Sequence, residues 1–189
     1  TIDINFMIDE GPRVYVNNIN ISGNTRTIDK VIRRQVKLSE GDAYNKYAVD
    51  LSKGTIRSLN FFSDVDIDEE RIKDKDKIDL NIHVEEKNTG EVSLGAGYST
   101  ASKASLNFGL KEQNFLGKGQ KAKFTANIAD TQSTYDISFE EPFYNNKNLS
   151  LRGDLYSKFS DPSSVKYETE DLGLGFSIGF PLSSTIGYN

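Results

Sequence analysis

Val84-Glu85-Glu86-Lys87-Asn88-Thr89-Gly90-Glu91-Val92-Ser93-Leu94-Gly95-Ala96-Gly97-Tyr98 is the stretch on which the fold turns. Charge is dense before it and glycine after it. Of residues 1–88, 31 are Asp, Glu, Lys or Arg, against 20 of the remaining 101. Of the 15 glycines, 4 precede Gly90 and 11 run from Gly90 onward. Alternation with a period of two lies on both sides of the junction. Ile78, Leu80, Ile82 and Val84 form one apolar set, and Val92, Leu94, Ala96 and Tyr98 form the next. A period of two marks a strand. The chain therefore passes from one sheet into another of different composition, and two domains meet near residue 88.

Upstream, strand and helix signals mix. Val14, Val16, Ile19 and Ile21 sit in a β-prone run that stops at the turn Ser22-Gly23-Asn24. Ile28, Val31, Ile32 and Val36 then recur at helical spacing behind Thr27, a candidate N-cap, with Asp29 favouring the helix dipole. Glu40-Gly41-Asp42 breaks that helix, and Tyr44, Tyr47, Ala48, Leu51, Thr55 and Leu59 predict a second amphipathic one. Val65 and Ile67 alternate with Asp64, Asp66 and Asp68 in a strand that turns through the charged 71–77 stretch into the Ile78–Val84 run. The predicted order is β-α-α-β-β, a small sheet with two helices on one face. Ile2, Ile4 and Phe6 alternate like the last strand of a preceding domain, ended by Glu10-Gly11-Pro12.

Downstream the chain is nearly all strand, in segments of about the 9–11 residues that a tilted membrane strand needs. After the first strand come Ala104, Leu106, Phe108 and Leu110, then Ala122, Phe124, Ala126 and Ile128. Tyr135, Ile137 and Phe139 form a fourth apolar face, Leu149, Leu151 and Leu155 a fifth, and Leu172, Leu174, Phe176, Ile178 and Phe180 a sixth. Residues 185–189 look like a seventh strand starting. Such faces suit either a soluble sandwich, where they meet a second sheet, or a barrel, where they meet lipid. Small residues and glycines on the opposite faces, aromatics near strand ends (Tyr98, Phe115, Phe143, Tyr144, Phe159, Phe180) and alternating tight and long connections lean towards the barrel.

Composition narrows the chemistry. A net charge of -5 argues against nucleic acid as the main partner. With no cysteine the chain forms no disulfide, thiolate metal site or cysteine nucleophile, which suits maturation in an oxidising compartment. No stretch reaches the ~20 apolar residues of a membrane helix. His83, the single histidine, reads as a solvated strand residue with no orienting partner. Asp64, Asp66 and Asp68 have calcium-loop spacing, but Glu69 stands where an EF-hand loop needs glycine. Gly95-Ala96-Gly97 lies inside a strand rather than opening a helix, so it is no phosphate cradle. Glu112, Glu140 and Glu141 have nothing to fix an acid/base separation. No catalytic, metal or cofactor site is expected.

The order of motifs is specific. Ile21-Ser22-Gly23-Asn24-Thr25-Arg26-Thr27, Val31-Ile32-Arg33-Arg34 and Glu40-Gly41-Asp42 resemble the polypeptide-transport-associated (POTRA) domain nearest the barrel in the BamA family of outer-membrane protein assembly factors. Leu59-Asn60-Phe61-Phe62-Ser63-Asp64-Val65 resembles that family's passage from second helix to second strand, and the 84–90 stretch its crossing into the barrel. Leu94-Gly95-Ala96-Gly97-Tyr98 looks like its first barrel strand. Asn114-Phe115-Leu116-Gly117-Lys118-Gly119-Gln120 looks like the first periplasmic turn, and Glu140-Glu141-Pro142-Phe143 like the second.

The resemblance implies residues 1–11 as the end of a preceding POTRA domain, 12–88 as a POTRA domain and 89–189 as the first strands of a truncated outer-membrane β-barrel. It implies no enzyme and no cofactor. The implied location is the bacterial outer membrane, with the POTRA domain in the periplasm. Implied partners are unfolded outer-membrane proteins, accessory lipoproteins and the lipid bilayer. Val92, Leu94, Gly95, Gly97 and Tyr98 would form the lateral-gate strand, Asn114, Phe115, Leu116, Gly117 and Gly119 the periplasmic turn, and Arg33, Arg34 and Gln35 a contact for an accessory protein. Gln35 departs from the acidic residue of some relatives. About six strands are fewer than the 8 or so that close a barrel, so the expected chain is a piece of an insertase. The rival expectations are a two-partner secretion or TamA-like transporter, and a soluble periplasmic binding module.

Overall fold

The computed structural model describes residues 12–73, 75–100, 103–161, 167–181 and 187–188. The alternating run over residues 2–6 lies outside them. The chain divides into two compact units. One is built from the segment ending at Asn24 and from Ile32–Glu86, the other from Thr25–Val31 and Lys87–Asn189.

The order β1 (Tyr15–Ser22), α1 (Asp29–Arg33), α2 (Lys46–Ser58), β2 (Phe62–Arg71) and β3 (Lys77–Glu86) is the β-α-α-β-β of the sequence reading. β3 lies in the middle of a three-stranded sheet of order β1-β3-β2. It runs parallel to β1, with Ile21 opposite Ile82, and antiparallel to β2, with Val65 opposite Val84. A parallel pair needs a long connection, and α1, α2 and β2 together supply it. Ile78, Leu80, Ile82 and Val84 of β3 are all buried, because a central strand with one covered face buries every second side chain. Val16, Ile32, Ile56 and Val65 complete that core. Gly23 ends β1 at φ +85°, where a Cβ would stand 1.9 Å from the Val84 carbonyl oxygen, so only glycine fits this turn.

Both helices depart from the periodicity reading. α1 covers Asp29–Arg33 only. Beyond it Gln35 and Val36 donate to the carbonyls three residues back, a tightened end that turns the chain away. In α2 the buried row is Val49, Ser52 and Ile56, whereas Tyr47, expected on the inner face, is 73% exposed and Leu51 is exposed too. Ser52 explains the error. Its hydroxyl donates to the Ala48 carbonyl at 2.6 Å and accepts the Lys37 N–H at 2.8 Å, so it buries with its hydrogen bonds made. A polar residue satisfied in this way hides the true stripe from any count of apolar positions.

The second unit is a meander of β4 (Gly90–Ser99), β5 (Lys103–Phe115), β6 (Gln120–Ala129), β7 (Gln132–Glu141), β8 (Ser150–Ser160), β9 (Thr169–Pro181) and β10 (Gly187–Tyr188). Each strand pairs antiparallel with the next, and the ends do not meet. β4 to β9 are 10 to 13 residues long, as membrane strands require. The aromatics singled out above do fall at strand ends or, for Phe143 and Tyr144, in the β7–β8 turn. No second sheet covers the apolar face among the described residues. Leu94 is 81% and Leu174 83% exposed, and Val92, Leu172 and Phe176 are similarly bare. A sandwich buries such side chains against a second sheet, and the described residues supply none. No helix among the described residues is long and apolar enough to cross a membrane.

Candidate functional site

β4 pairs with β5 along its whole length, from Gly90 opposite Glu112 to Ser99 opposite Lys103, and its other edge has no partner among the described strands. Val92, Leu94, Ala96 and Tyr98 oppose Leu110, Phe108, Leu106 and Ala104 on the apolar face. On the polar face Ser93, Gly95 and Gly97 oppose Gly109, Asn107 and Ser105. Each of these three rungs contains a glycine, so side-chain pairs that ordinarily add about 0.2–1 kcal/mol apiece are missing there. A Cβ at Gly95 would stand 3.5 Å from Asn107 Nδ2, an ordinary contact, and one at Gly97 3.1 Å from Ser105 Oγ, a tight one, whereas one at Gly109 would fall 2.3 Å from Ser93 Oγ.

The turn from β5 to β6 is the most elaborately bonded part of the unit. Asn114 is buried, and its amide uses both ends. Nδ2 donates to the Thr27 hydroxyl at 2.8 Å, and Oδ1 accepts the Gly119 N–H at 2.7 Å. Glu112 Oε1 accepts the Asn114 N–H at 2.8 Å and also the Thr89 hydroxyl. The Ile28 N–H donates to the Gly117 carbonyl at 3.0 Å. Gly117 sits at φ +71°, where a Cβ would fall 1.9 Å from the Arg26 carbonyl oxygen. Leu116 also has positive φ, and its side chain is exposed. Phe115 packs edge-on to Phe139 with ring centroids 6.1 Å apart. The motif at residues 25–28 and the motif at residues 114–119 thus meet in one unit, a pairing invisible to local patterns.

The carboxylates weighed for acid/base work are each engaged locally. Glu140 pairs with Lys121 at 2.8 Å, and Glu141 accepts from Gln120 Nε2 and the Phe143 N–H. Asp64, Asp66 and Asp68 lie on the exposed face of β2, where Asp64 meets Arg57 and Asp66 meets Lys53. His83 is exposed, with its Nδ1 3.2 Å from the Ser22 hydroxyl. Arg33 reaches the Ile19 carbonyl at 3.0 Å and Glu40 at 3.6 Å, Arg34 is half-buried, and Gln35 is buried.

A second cluster carries no sequence signature. Tyr44 donates to Glu69 Oε2, and Lys46 Nζ lies 2.6 Å from Glu69 Oε1. Burial and then the Glu69 hydrogen bond push the Tyr44 hydroxyl up to about 12. For Glu69 burial opposes ionisation, but the hydrogen bonds from Lys46 and Tyr44 outweigh it and hold its carboxyl below the usual range. The Glu69 hydrogen bond likewise raises Lys46. These contacts clasp the start of α2 to β2. On the far side of the sheet the start of β1 is covered by residues 41–44, through a Tyr15–Ala43 bridge and the flanking backbone bonds. β2 keeps an edge that no described strand pairs.

Residues 14–87 match the family model "Surface antigen variable number repeat" (POTRA), and residues 114–189 match the Omp85 superfamily domain. The outer membrane protein assembly factor BamA of Neisseria meningitidis is 31% identical over 97% of the chain and 24% of its own length. BamA of Buchnera aphidicola is 34% identical over 97% of the chain and 30% of its own length. The chain thus spans about a quarter to a third of these relatives. The crystal structure of BamA from Haemophilus ducreyi lacking POTRA domains 1-3 superposes with a TM-score of 0.80 at 29% identity, covering 93% of this chain and 34% of that one. CdiB from Acinetobacter baumannii shares the fold alone, with a TM-score of 0.59 at 16% identity over 90% of this chain and 34% of that one.

Proposed function

Because the chain belongs to the BamA/Omp85 assembly-factor family, we propose that it acts in inserting β-barrel proteins, with residues 12–88 as a POTRA domain and residues 89–189 as the first barrel strands. The family location is the outer membrane, with the POTRA domain in the periplasm, and the chain's kinship is with assembly factors rather than catalysts. The POTRA domain takes up unfolded outer-membrane proteins as an added strand, and β4 serves as the gate at which a client strand enters. One observation carries this reading. β2 is a terminal strand of the first sheet, with an edge that no described strand pairs. Edge N–H and C=O groups pair with an extended chain of any sequence, as transient handling of many clients demands.

Within this proposal residues 92–98 form the gate strand, whose glycine rungs leave its seam to backbone bonds and one apolar face. The 114–119 turn is periplasmic. The turn that carries Arg33, Arg34 and Gln35 is the contact for an accessory lipoprotein, presented mainly through the exposed Arg33. The apolar face of β4–β9 meets the bilayer. Replacing Gly95 and Gly97 with valine adds cross-strand contact and should slow insertion of a barrel client into proteoliposomes at least threefold. Unchanged insertion by a correctly folded double variant overturns the gate assignment.

A further inference from the structure

The apolar face of the second sheet is not uniform. On β4, β5 and β6 it contains a recess of about 480 Å³ lined by Leu94, Ala96, Leu106, Phe108, Ala126 and Ile128. The register explains its shape. Leu94, Phe108 and Ala126 form one rung, and Ala96, Leu106 and Ile128 form the next. An alanine therefore ends each rung, on opposite sides, between long neighbours. The Phe108 ring leans on Phe124 at 6.0 Å between centroids, which walls the recess along β5 and β6. Ala126 forms the floor and is only 7% exposed, although no second layer covers the sheet.

We infer that this recess seats a single phospholipid acyl chain against the edge strand β4. The inference rests on the outer-membrane reading above and makes it specific to one place. Apart from Asn107, which the register sets opposite Gly95 on the polar face of the sheet, the lining side chains are apolar, so a polar ligand or a peptide strand gains little there. Strand addition works at a sheet edge through backbone groups, whereas this recess opens on a face. In hydrocarbon an unfilled hollow forfeits the dispersion contacts of its lining. The occupant that recovers them is the one continuous with the rest of the apolar face, a flexible methylene chain.

The test uses the protein in phosphatidylethanolamine–phosphatidylglycerol vesicles doped with a phosphatidylethanolamine that bears a diazirine in mid-chain. Photolabelled residues are mapped by mass spectrometry. Label at Leu106 and Ile128 should exceed label at Leu174 at least threefold, although Leu174 is far more exposed (83% against 62% for Leu106). Ala126→Phe, which fills the floor, should bring Leu106 and Ile128 down to the Leu174 level while leaving Leu174 unchanged, and Ala126→Ser should preserve the excess. If Ala126→Phe does not fold, Ala96→Leu fills the recess from the other rung and should act alike. Labelling that follows exposure, or that ignores both filling variants, overturns the seat and leaves the outer-membrane reading standing. Absence of label at Leu174 and recess alike overturns both. Cross-links from the recess to a second protein copy also overturn the seat.

Discussion

Asn114 shows what one side chain does when both ends of its amide are used in a buried place. Asn114→Ala removes the bond to the Thr27 hydroxyl and takes the acceptor from the Gly119 N–H, at a cost of about 1–3 kcal/mol for that buried donor left unsatisfied. Hydrogen exchange at Ile28 and Gly119 should accelerate accordingly, while exchange in β8 and β9 should not. Gly117→Ala should open the same amides further, because its Cβ would land on the Arg26 carbonyl. The turn composition of Asn114–Gly119 is legible in the sequence, but its partner Thr27, 87 residues away, is not. Glu69 and Tyr44 make a prediction about pH. A carboxyl whose folded pKa is depressed contributes stability that is whole above its ordinary value of 4.5 and is lost as pH falls through the folded value. Tyr44 has the opposite sign, its contribution being whole below 10.0 and lost as pH rises towards about 12. In thermal melts from pH 3 to 11, Glu69→Gln should flatten the acid side of the profile for the first unit and Tyr44→Phe the alkaline side. An unaltered profile in both variants would remove the clasp from the account.

Elements were legible in proportion to how simple their environment is. The strands of both sheets follow from alternation alone, since a strand with one apolar face must repeat every two residues. α2 is the contrary case. Its existence is readable, but its orientation turns on Ser52, a polar residue held by the Lys37 N–H and the Ala48 carbonyl. Ile56→Ala should therefore cost about 2–5 kcal/mol, whereas Leu51→Ala on the outer face should cost under about 1 kcal/mol. Denaturant-dependent exchange of the β3 amides reads both variants. Similar effects would restore the face that periodicity suggested.

For the whole molecule, the decisive property is an apolar face that no protein layer covers among the described residues. Amide exchange in buffer and then in detergent micelles should protect residues 13–86 in both, and residues 91–180 only in micelles. Protection of residues 91–180 in buffer, in a monomer, would mean that water suffices for that sheet and would contradict a membrane strand array. The resemblance was legible because its motifs recur in collinear order, each short and weak alone. The POTRA match at 14–87 and the Omp85 match at 114–189 take in the motifs of the first unit and of the two turns, while the 94–98 strand motif lies between them. Local pattern alone carries the change of composition near residue 88, the β-α-α-β-β order and the alternating faces, because these depend on near neighbours along the chain. Tertiary structure alone decided which face of α2 is buried, which motifs touch, and which residues pair across the strands. Those outcomes depend on groups brought together from distant positions, and no local pattern records which of them will meet.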